Sequence, residues 1–198
     1  MKKINSLILL SVVSSFLGSC NKNEKEEKPK AVVSQRELIK RGSYLVSAIG
    51  CSDCHTTKIF TPTGPVPDTS RLLSGYVQNE KLPEMSEDAL KKGWILFNSS
   101  LTAVVGPWGI SFSANLTPHD TGIGNWTADQ FKTALRQGKY KGLAGSRDLL
   151  PPMPWHAYRN LTDEDILAVF SYLKTIKPID NLVPTAVPPT EIFKSDGK

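Results

Sequence analysis

The 198-residue sequence is poor in the side chains that ligate metals, with three cysteines, three histidines and three methionines. It has no block or stripe of Lys and Arg, which disfavours nucleic acid as a partner. Its longest apolar run, residues 4–17, is too short for a transmembrane helix. No internal repeat is visible. These absences leave a chain that is long enough for one domain with one hydrophobic core.

The first 19 residues have the pattern of a bacterial export signal. Lys2 and Lys3 supply a positive start, an apolar run follows, and Leu-Gly-Ser-Cys at 17–20 resembles the cleavage site of lipoproteins. We expect cleavage before Cys20 and acylation of that residue, which would tether the protein to a membrane without spanning it. The predicted location is the cell envelope, with the protein exported to the periplasmic or cell-surface side.

Three further segments follow the predicted signal peptide at 1–19. Residues 20–33 are charged and lack aromatics, so they are predicted to be a lipidated, flexible linker. Residues 34–178 are the predicted domain, and residues 179–198 are expected to be an extended or disordered tail. Loss of the signal removes two of the 24 basic residues and leaves 22 against 19 acidic ones, a formal charge of +3. The mature chain is therefore expected to be only weakly basic.

The most informative pattern is Cys-Ser-Asp-Cys-His at residues 51–55. Cys-x-x-Cys-His is the attachment signal for a c-type haem. Two thiols one helical turn apart can reach the two vinyl groups of a porphyrin, and the adjacent imidazole can bind the iron. The sequence therefore predicts one covalent haem c, held by Cys51 and Cys54, with His55 as an iron ligand. Export agrees with this prediction, because covalent haem attachment in bacteria occurs outside the cytoplasmic membrane.

Three other uses of the cysteine pair stay open. A thioredoxin-like dithiol would need a preceding strand and a βαβ pattern, and neither is visible. A zinc site would need further ligands, and only Cys20, His119 and His156 remain. A structural disulfide between Cys51 and Cys54 would make the chain a haem-free lipoprotein. We disfavour all three.

Met153 is the predicted second ligand of the iron. It lies in Leu-Pro-Pro-Met-Pro-Trp at 150–155, where prolines restrict the backbone on both sides. A restricted backbone suits a methionine whose thioether must be held against iron, because the Fe–S bond is weak. The alternatives are Met85, His156 in a bis-histidine arrangement, and Met153 as an ordinary core residue. His119 is expected to be solvated in a turn.

His55 and Met153 would together fill both axial positions of the iron, which favours electron transfer over catalysis. We therefore expect an electron carrier rather than an enzyme. The alternative is a peroxidase-like haem enzyme or gas sensor in which Met153 dissociates. Four side chains are candidates for hydrogen bonds to the haem propionates: Trp108, Trp126, Arg136 and Arg147.

The hydrophobic periodicity predicts helices over residues 35–49, 86–92, 127–137 and 162–176. Gly42 is expected to let the first helix cross the last one closely, near Phe170 and Tyr172. Segments rich in Pro, Gly, Thr and Asn, at 61–74 and 99–125, are predicted to be loops. The pattern as a whole predicts an all-α fold in which three to five helices and long irregular loops surround one haem.

Taken together, these residues resemble the class I, His/Met c-type cytochromes, and the resemblance covers residues 34–178. More narrowly, Asn-Leu-Thr-Pro at 115–118, Thr-Gly-Ile-Gly-Asn-Trp at 121–126 and Pro-Pro-Met-Pro-Trp at 151–155 resemble one haem domain of the cytochrome subunits of membrane-associated alcohol, aldehyde and related dehydrogenases. The resemblance implies the cytochrome c fold, with His55 as proximal and Met153 as distal ligand.

The same resemblance implies a redox partner protein, which could be a dehydrogenase, an oxidase or another cytochrome. Electrons would pass from a dehydrogenase toward quinone or a terminal oxidase. Two features depart from the family pattern. Those subunits commonly hold three haem domains and this chain has one haem motif, and residues 60–113 form an elaboration, which we expect to lie beside the haem and to serve as a partner-docking surface.

Overall fold

The computed structural model describes residues 33–193 of the chain. The predicted signal peptide, the predicted lipidation site Cys20 and residues 20–32 of the predicted linker lie outside this range, as do residues 194–198. No helix between residues 33 and 193 has both the length and the apolar character needed to cross a bilayer.

The four predicted helices are confirmed, and two short ones accompany them. Within the described residues the α-helices are α1 Gln35–Ala48, α2 Cys51–His55, α3 Glu87–Lys91, α4 Ala128–Gln137, α5 Trp155–Tyr158 and α6 Asp163–Leu173. The last helix ends three residues earlier than the sequence predicted, at Leu173.

Local hydrogen bonds explain where the longer helices begin. Before α1, the hydroxyl of Ser34 accepts from the amide of Glu37 at 3.3 Å, and the Glu37 carboxylate accepts from the amide of Ser34 at 2.9 Å. Thr127 and Gln130 form the same capping box before α4. Gly138 then ends α4 with a φ of +65°, a conformation that favours glycine.

The expectation of an all-α cytochrome c fold is wrong, because the molecule combines helices with two antiparallel sheets. The described strands are β1 Lys58–Thr61, β2 Gly64–Pro67, β3 Leu96–Phe97, β4 Ala103–Gly106 and β5 Gly109–Phe112. The first two pair in one sheet, with Ile59 opposite Val66, and the other three form the second sheet in the order β3-β4-β5.

The strands escaped sequence-based prediction because each is short and closely flanked by turn residues. None exceeds four residues, so no alternation of apolar and polar side chains can develop. Strand β4 is buried at every position and therefore carries no alternation at all. Part of the segments that predicted loops belongs to these strands and their turns, while residues 113–125 form no strand.

All five strands lie between α2 and α4, in residues 58–112, which we call the β-insert. It corresponds to the elaboration predicted from the sequence. Both ends of the β-insert meet at one turn: the hydroxyl of Thr57 donates to that of Ser100 at 3.1 Å, and the amide of Ser113 donates to the carbonyl of Thr102 at 2.8 Å. The chain thus leaves the helical core and returns to it at nearly the same place. A role in docking a partner stays a prediction.

The main core lies where α1 crosses α6. Gly42 makes this crossing close, because a Cβ there would lie 1.9 Å from the carbonyl oxygen of Ala168 and 2.8 Å from Cβ of Tyr172. The close crossing predicted from the sequence is therefore confirmed. The buried cluster around it also draws on α4 and on two loops, and its members are Leu45, Val46, Leu73, Ile123, Phe131, Leu135, Ile166, Val169 and Leu173.

The segment after α6 runs as extended chain along the domain. Val187 pairs with Ile110 of β5 through two backbone hydrogen bonds of 2.8 and 3.0 Å. Asn181 is fully buried and Leu182, beside it, is exposed. The described part of the predicted tail is thus held by β5 and by the buried side chain of Asn181.

Candidate functional site

Helix α2 carries the whole Cys-x-x-Cys-His motif. Gly50, with a φ of +74°, lies between α1 and this helix and interrupts the α1 conformation, so that a new helix starts at Cys51. At its other end the ammonium of Lys58 donates to the carbonyls of Ser52 at 3.3 Å and Asp53 at 2.9 Å. A cation at this position satisfies carbonyls that a helix leaves unpaired at its C-terminus.

Cys51 and Cys54 are free thiols and both are half-buried. Burial raises the pKa of Cys51 to about 11, and burial also raises the pKa of Cys54. Both groups are therefore neutral thiols at physiological pH. Dithiols of the thioredoxin type depend instead on a lowered thiol pKa. The electrostatics of this pair disfavour thiol–disulfide exchange.

His55 is buried and its ring has one hydrogen-bond partner, the carbonyl oxygen of Ala114, which lies 2.8 Å from Nδ1. Because a carbonyl only accepts, Nδ1 carries the proton and Nε2 is left with a free lone pair. Burial lowers the pKa of His55, which favours the neutral imidazole. A neutral imidazole fixed through Nδ1 is the form that binds a metal through Nε2.

The loop of residues 73–75 is also held against the end of α2. The amide of Gly75 donates to the carbonyl of His55 at 2.8 Å, and the amide of Leu73 donates to the hydroxyl of Thr56 at 2.9 Å. Gly75 has a φ of +79°, and a Cβ there would lie 2.6 Å from the carbonyl oxygen of Ala114. Only glycine fits between His55 and the carbonyl that orients its ring.

Met153 is half-buried and packs, like Cys51, against the hydrophobic cluster formed by α1, α4 and α6. The hydroxyl of Ser111, on β5, donates to the carbonyl of Pro151 at 2.6 Å, and the indole nitrogen of Trp108 donates to that hydroxyl at 3.3 Å. The β-insert therefore holds the proline-rich loop that carries Met153.

The alternative ligands lie elsewhere. Met85 lines an open groove of about 240 Å³ on the three-stranded sheet, together with Leu96 and Val104. His156 is exposed and stacks on Trp155, with ring centroids 3.7 Å apart. His119 is partly exposed and its Nδ1 lies 2.9 Å from the hydroxyl of Thr121. Neither Met85 nor the two histidines belong to the cluster that Cys51 and Met153 share.

Three of the four candidates for propionate binding already have partners. Trp108 donates to Ser111, as described above. Arg136 pairs with Asp163 at 2.6 Å, and the guanidinium of Arg147 stacks over the ring of Tyr140 at 4.0 Å. Trp126 packs against the hydrophobic cluster. Within residues 33–193 no group of three or more His, Cys, Asp or Glu side chains is arranged to hold a metal ion.

Sequence reasoning missed the residues that support the site. Ala114 contributes only a backbone carbonyl, which no side-chain pattern can reveal. Ser111 and Lys58 act through contacts that depend on the β-insert, and Asn181 lies in the predicted tail. The segment 115–118 drew attention only through its resemblance to haem domains.

No family model matches the chain. Individual proteins do match it. Over 167 residues, or 83% of the chain, it is 32% identical to the fructose dehydrogenase cytochrome subunit of Gluconobacter japonicus, of which it covers 27%. It is also 29% identical to the gluconate 2-dehydrogenase cytochrome c subunit of Pantoea cypripedii over 137 residues, which are 68% of this chain and 22% of that protein.

A third relative is the cytochrome c subunit of alcohol dehydrogenase (quinone) from Gluconobacter oxydans, 28% identical over 144 residues, which are 72% of the chain and 22% of the relative. The chain thus spans about a quarter of the length of the curated relatives it matches. These relatives are cytochrome c subunits of dehydrogenases, which supports a c-type cytochrome.

Proposed function

We propose that this chain is an electron-transfer protein with one covalent haem c, attached through Cys51 and Cys54 and ligated by His55 and Met153. The observation that carries the proposal is the geometry of His55. Its imidazole is buried, neutral and oriented through Nδ1, and it directly follows two free thiols on one helix. This arrangement leaves Nε2 as the ligand atom.

The residues of the site fit such a group. Both cysteines are reduced and unpaired, as thioether formation with vinyl groups requires. Met153 packs against the same apolar cluster as Cys51, so a thiol and the thioether share one apolar surface. When bound, a haem c supplies one-electron exchange at its iron, with a potential set by its axial ligands and by burial.

The chain's own residues orient the ligands and restrict solvent around them. Ala114 keeps Nδ1 of His55 protonated, and Gly75 lets the loop lie directly on that contact. Ser111 holds the loop of Met153 through Pro151. Both axial ligands would thus be held by the folded protein, which supports an electron carrier rather than a haem enzyme or gas sensor with a labile ligand.

The partner and the location are part of the same proposal. The relatives are named as subunits of dehydrogenases, so we propose a dehydrogenase as the redox partner. We further propose that Cys20 is acylated and tethers the exported domain to a membrane of the cell envelope. A Cys20→Ser variant would then move from the membrane fraction to the soluble fraction while keeping its haem.

The proposal is tested by absorption spectra and mass spectrometry of the protein matured in a host that attaches haem c. The variants are Met153→Ala and, as a matched control, Met85→Ala, since both methionines are half-buried. The wild type and the control are expected to carry haem, to show the weak long-wavelength band of methionine-ligated ferric haem, and to bind no CO. Met153→Ala is expected to keep the haem, lose that band and bind CO.

Each other result has a definite meaning. A wild type without covalent haem would overturn the proposal at its root. A wild type that binds CO readily would indicate an open iron position and favour the haem enzyme or gas sensor. Loss of the methionine band in Met85→Ala alone would show that the second ligand comes from the β-insert.

A further inference from the structure

We infer that Asn181 is a positioning residue for His55, acting through the loop and the carbonyl that orient the imidazole. The inference rests on the proposed function, since it concerns His55 as an iron ligand. Asn181 does not touch His55. It acts from the segment after α6, which the sequence predicted to be a tail.

Every polar atom of the Asn181 side chain is engaged. Its amide nitrogen donates to the carbonyls of Ser74 at 2.7 Å and Tyr76 at 2.8 Å. Its amide oxygen accepts from the backbone amide of Gln78 at 2.8 Å and from the guanidinium of Arg71 at 3.4 Å. Asn181 as a whole is 1% exposed. One buried amide thus holds both sides of the loop that contains Gly75.

Gly75 links the loop held by Asn181 to His55. Its amide donates to the carbonyl of His55, and its Cα lies so close to Ala114 that an added Cβ would contact the carbonyl carbon at 2.6 Å. The next amide, of Tyr76, donates to the carbonyl of Ser113 at 3.0 Å. The loop therefore supports both the backbone of His55 and the peptide that accepts from its ring.

A second set of hydrogen bonds holds Asn115, the residue that follows Ala114. Asn115 directly follows Ala114, and its amide nitrogen donates to the backbone carbonyls of Ile179 at 2.9 Å and Asn181 at 3.3 Å. Asn115 is itself buried. The segment 179–181 consequently fixes the position of the Ala114 carbonyl through two buried asparagines.

Removal of the Asn181 amide would leave buried partners unpaired. The carbonyls of Ser74 and Tyr76 would lose their side-chain partner in a buried place, and the backbone amide of Gln78, an exposed residue, would lose its bond to the Asn181 oxygen. Unpaired buried groups are costly, so the loop would open more often than in the wild type. Each opening would expose the hydrogen bond between His55 and Ala114 to solvent.

The inference is tested on the haem-loaded, full-length chain by NMR of the reduced, diamagnetic protein. The measurement is the rate at which the ring Nδ1 proton of His55 exchanges with solvent. We expect an increase of about tenfold or more in Asn181→Ala. The matched control is Asn98→Ala, which removes another buried asparagine whose side chain bonds Thr102 and Ala103. This control is expected to change the rate by less than twofold.

A second variant covers failure of Asn181→Ala to fold. Asn181→Ser adds no charge and keeps a hydroxyl that can donate to one of the two carbonyls, so it is expected to raise the exchange rate in the same direction but by less. Equal exchange rates in the Asn181 variants and the Asn98 control would overturn the inference while leaving the proposed function intact. Absence of covalent haem in the wild type would instead overturn the proposed function, and the role of Asn181 toward an iron ligand with it.

Discussion

Replacement of Gly75 by alanine tests whether the loop beside His55 is as tightly packed as the structure shows. Two penalties are expected. A φ of +79° costs an L-residue about 1–2 kcal/mol. The new Cβ would also lie 2.3 Å from the carbonyl oxygen of Ser113 and 2.6 Å from that of Ala114, so backbone must move.

That movement strains three hydrogen bonds: Gly75 to His55, Tyr76 to Ser113, and His55 to Ala114. Each contributes about 1 kcal/mol. We therefore expect Gly75→Ala to lower the free energy of unfolding by about 4–5 kcal/mol. Gly93→Ala is the matched control, because Gly93 has a φ of +90° and nothing within 4 Å of its added Cβ. Its loss should be about 1–2 kcal/mol.

The assay is thermal unfolding of the wild type and both variants under identical conditions. For a domain of this size, each kcal/mol shifts Tm by about 2–4 °C, so the two variants, which differ by about 3 kcal/mol, should differ by roughly 6–12 °C. The reasoning is refuted if Gly75→Ala and Gly93→Ala unfold at the same temperature, since backbone strain alone would then explain both losses.

Three further predictions concern other contacts. Gly42→Ala would normally favour a helix, but here the new Cβ would clash with the carbonyl of Ala168. Urea unfolding should therefore show a free energy of unfolding lower by about 2 kcal/mol or more. An unchanged midpoint would contradict the close crossing of α1 and α6. Ser111→Ala removes a hydrogen bond worth about 1 kcal/mol from the loop of Met153. Added imidazole should therefore displace Met153 from the iron with an apparent affinity about fivefold higher than in the wild type. Equal imidazole affinity in the variant and the wild type would count against a role for this bond. Asp163 has its pKa lowered by two cations of α4, so its stabilisation is present above the ordinary carboxyl pKa and is lost as the pH falls through the lowered value. Asp163→Asn should accordingly be less stable than the wild type at pH 7 and equal to it in strong acid, and a constant difference across this pH range would exclude the ion pairs as the cause.

The predictable part of the fold is the part encoded locally. The helix starts at Ser34, Thr127 and Thr162 depend on side chains that bond the backbone amide three residues ahead, so the sequence alone indicates them. The glycine that ends α4 is equally local. These features need no knowledge of the remaining chain.

The segment of the β-insert was predicted as an elaboration, but its strands were missed. Strands of two to four residues carry too little pattern to be separated from loop. The partner of β5 illustrates the difficulty, because Ile110 pairs both with Val105 and with Val187, far along the chain. The secondary-structure propensities of single residues cannot predict such a contact.

The candidate site divides in the same way. Cys51, Cys54 and His55 form a motif whose spacing has chemical meaning, so they were predicted from the residues themselves. The residues that orient them were not. Ala114 lies 59 positions after His55 and acts through its backbone, and Asn181 acts on a loop more than 100 positions before it.

The first hairpin of the β-insert, β1–β2, can be replaced without disturbing the candidate site. Its base is closed by a hydrogen bond of 2.9 Å from the amide of Asp68 to the carbonyl of Thr57, so a segment of different length could join the same two points. The entropy of closing such a loop grows only slowly with its length, by about 0.6 kcal/mol per doubling. An engineer could therefore exchange residues 59–67 while keeping Lys58, which caps α2, and the later part of the β-insert, which holds Gly75 and Ser111, and obtain a new surface beside an unchanged site.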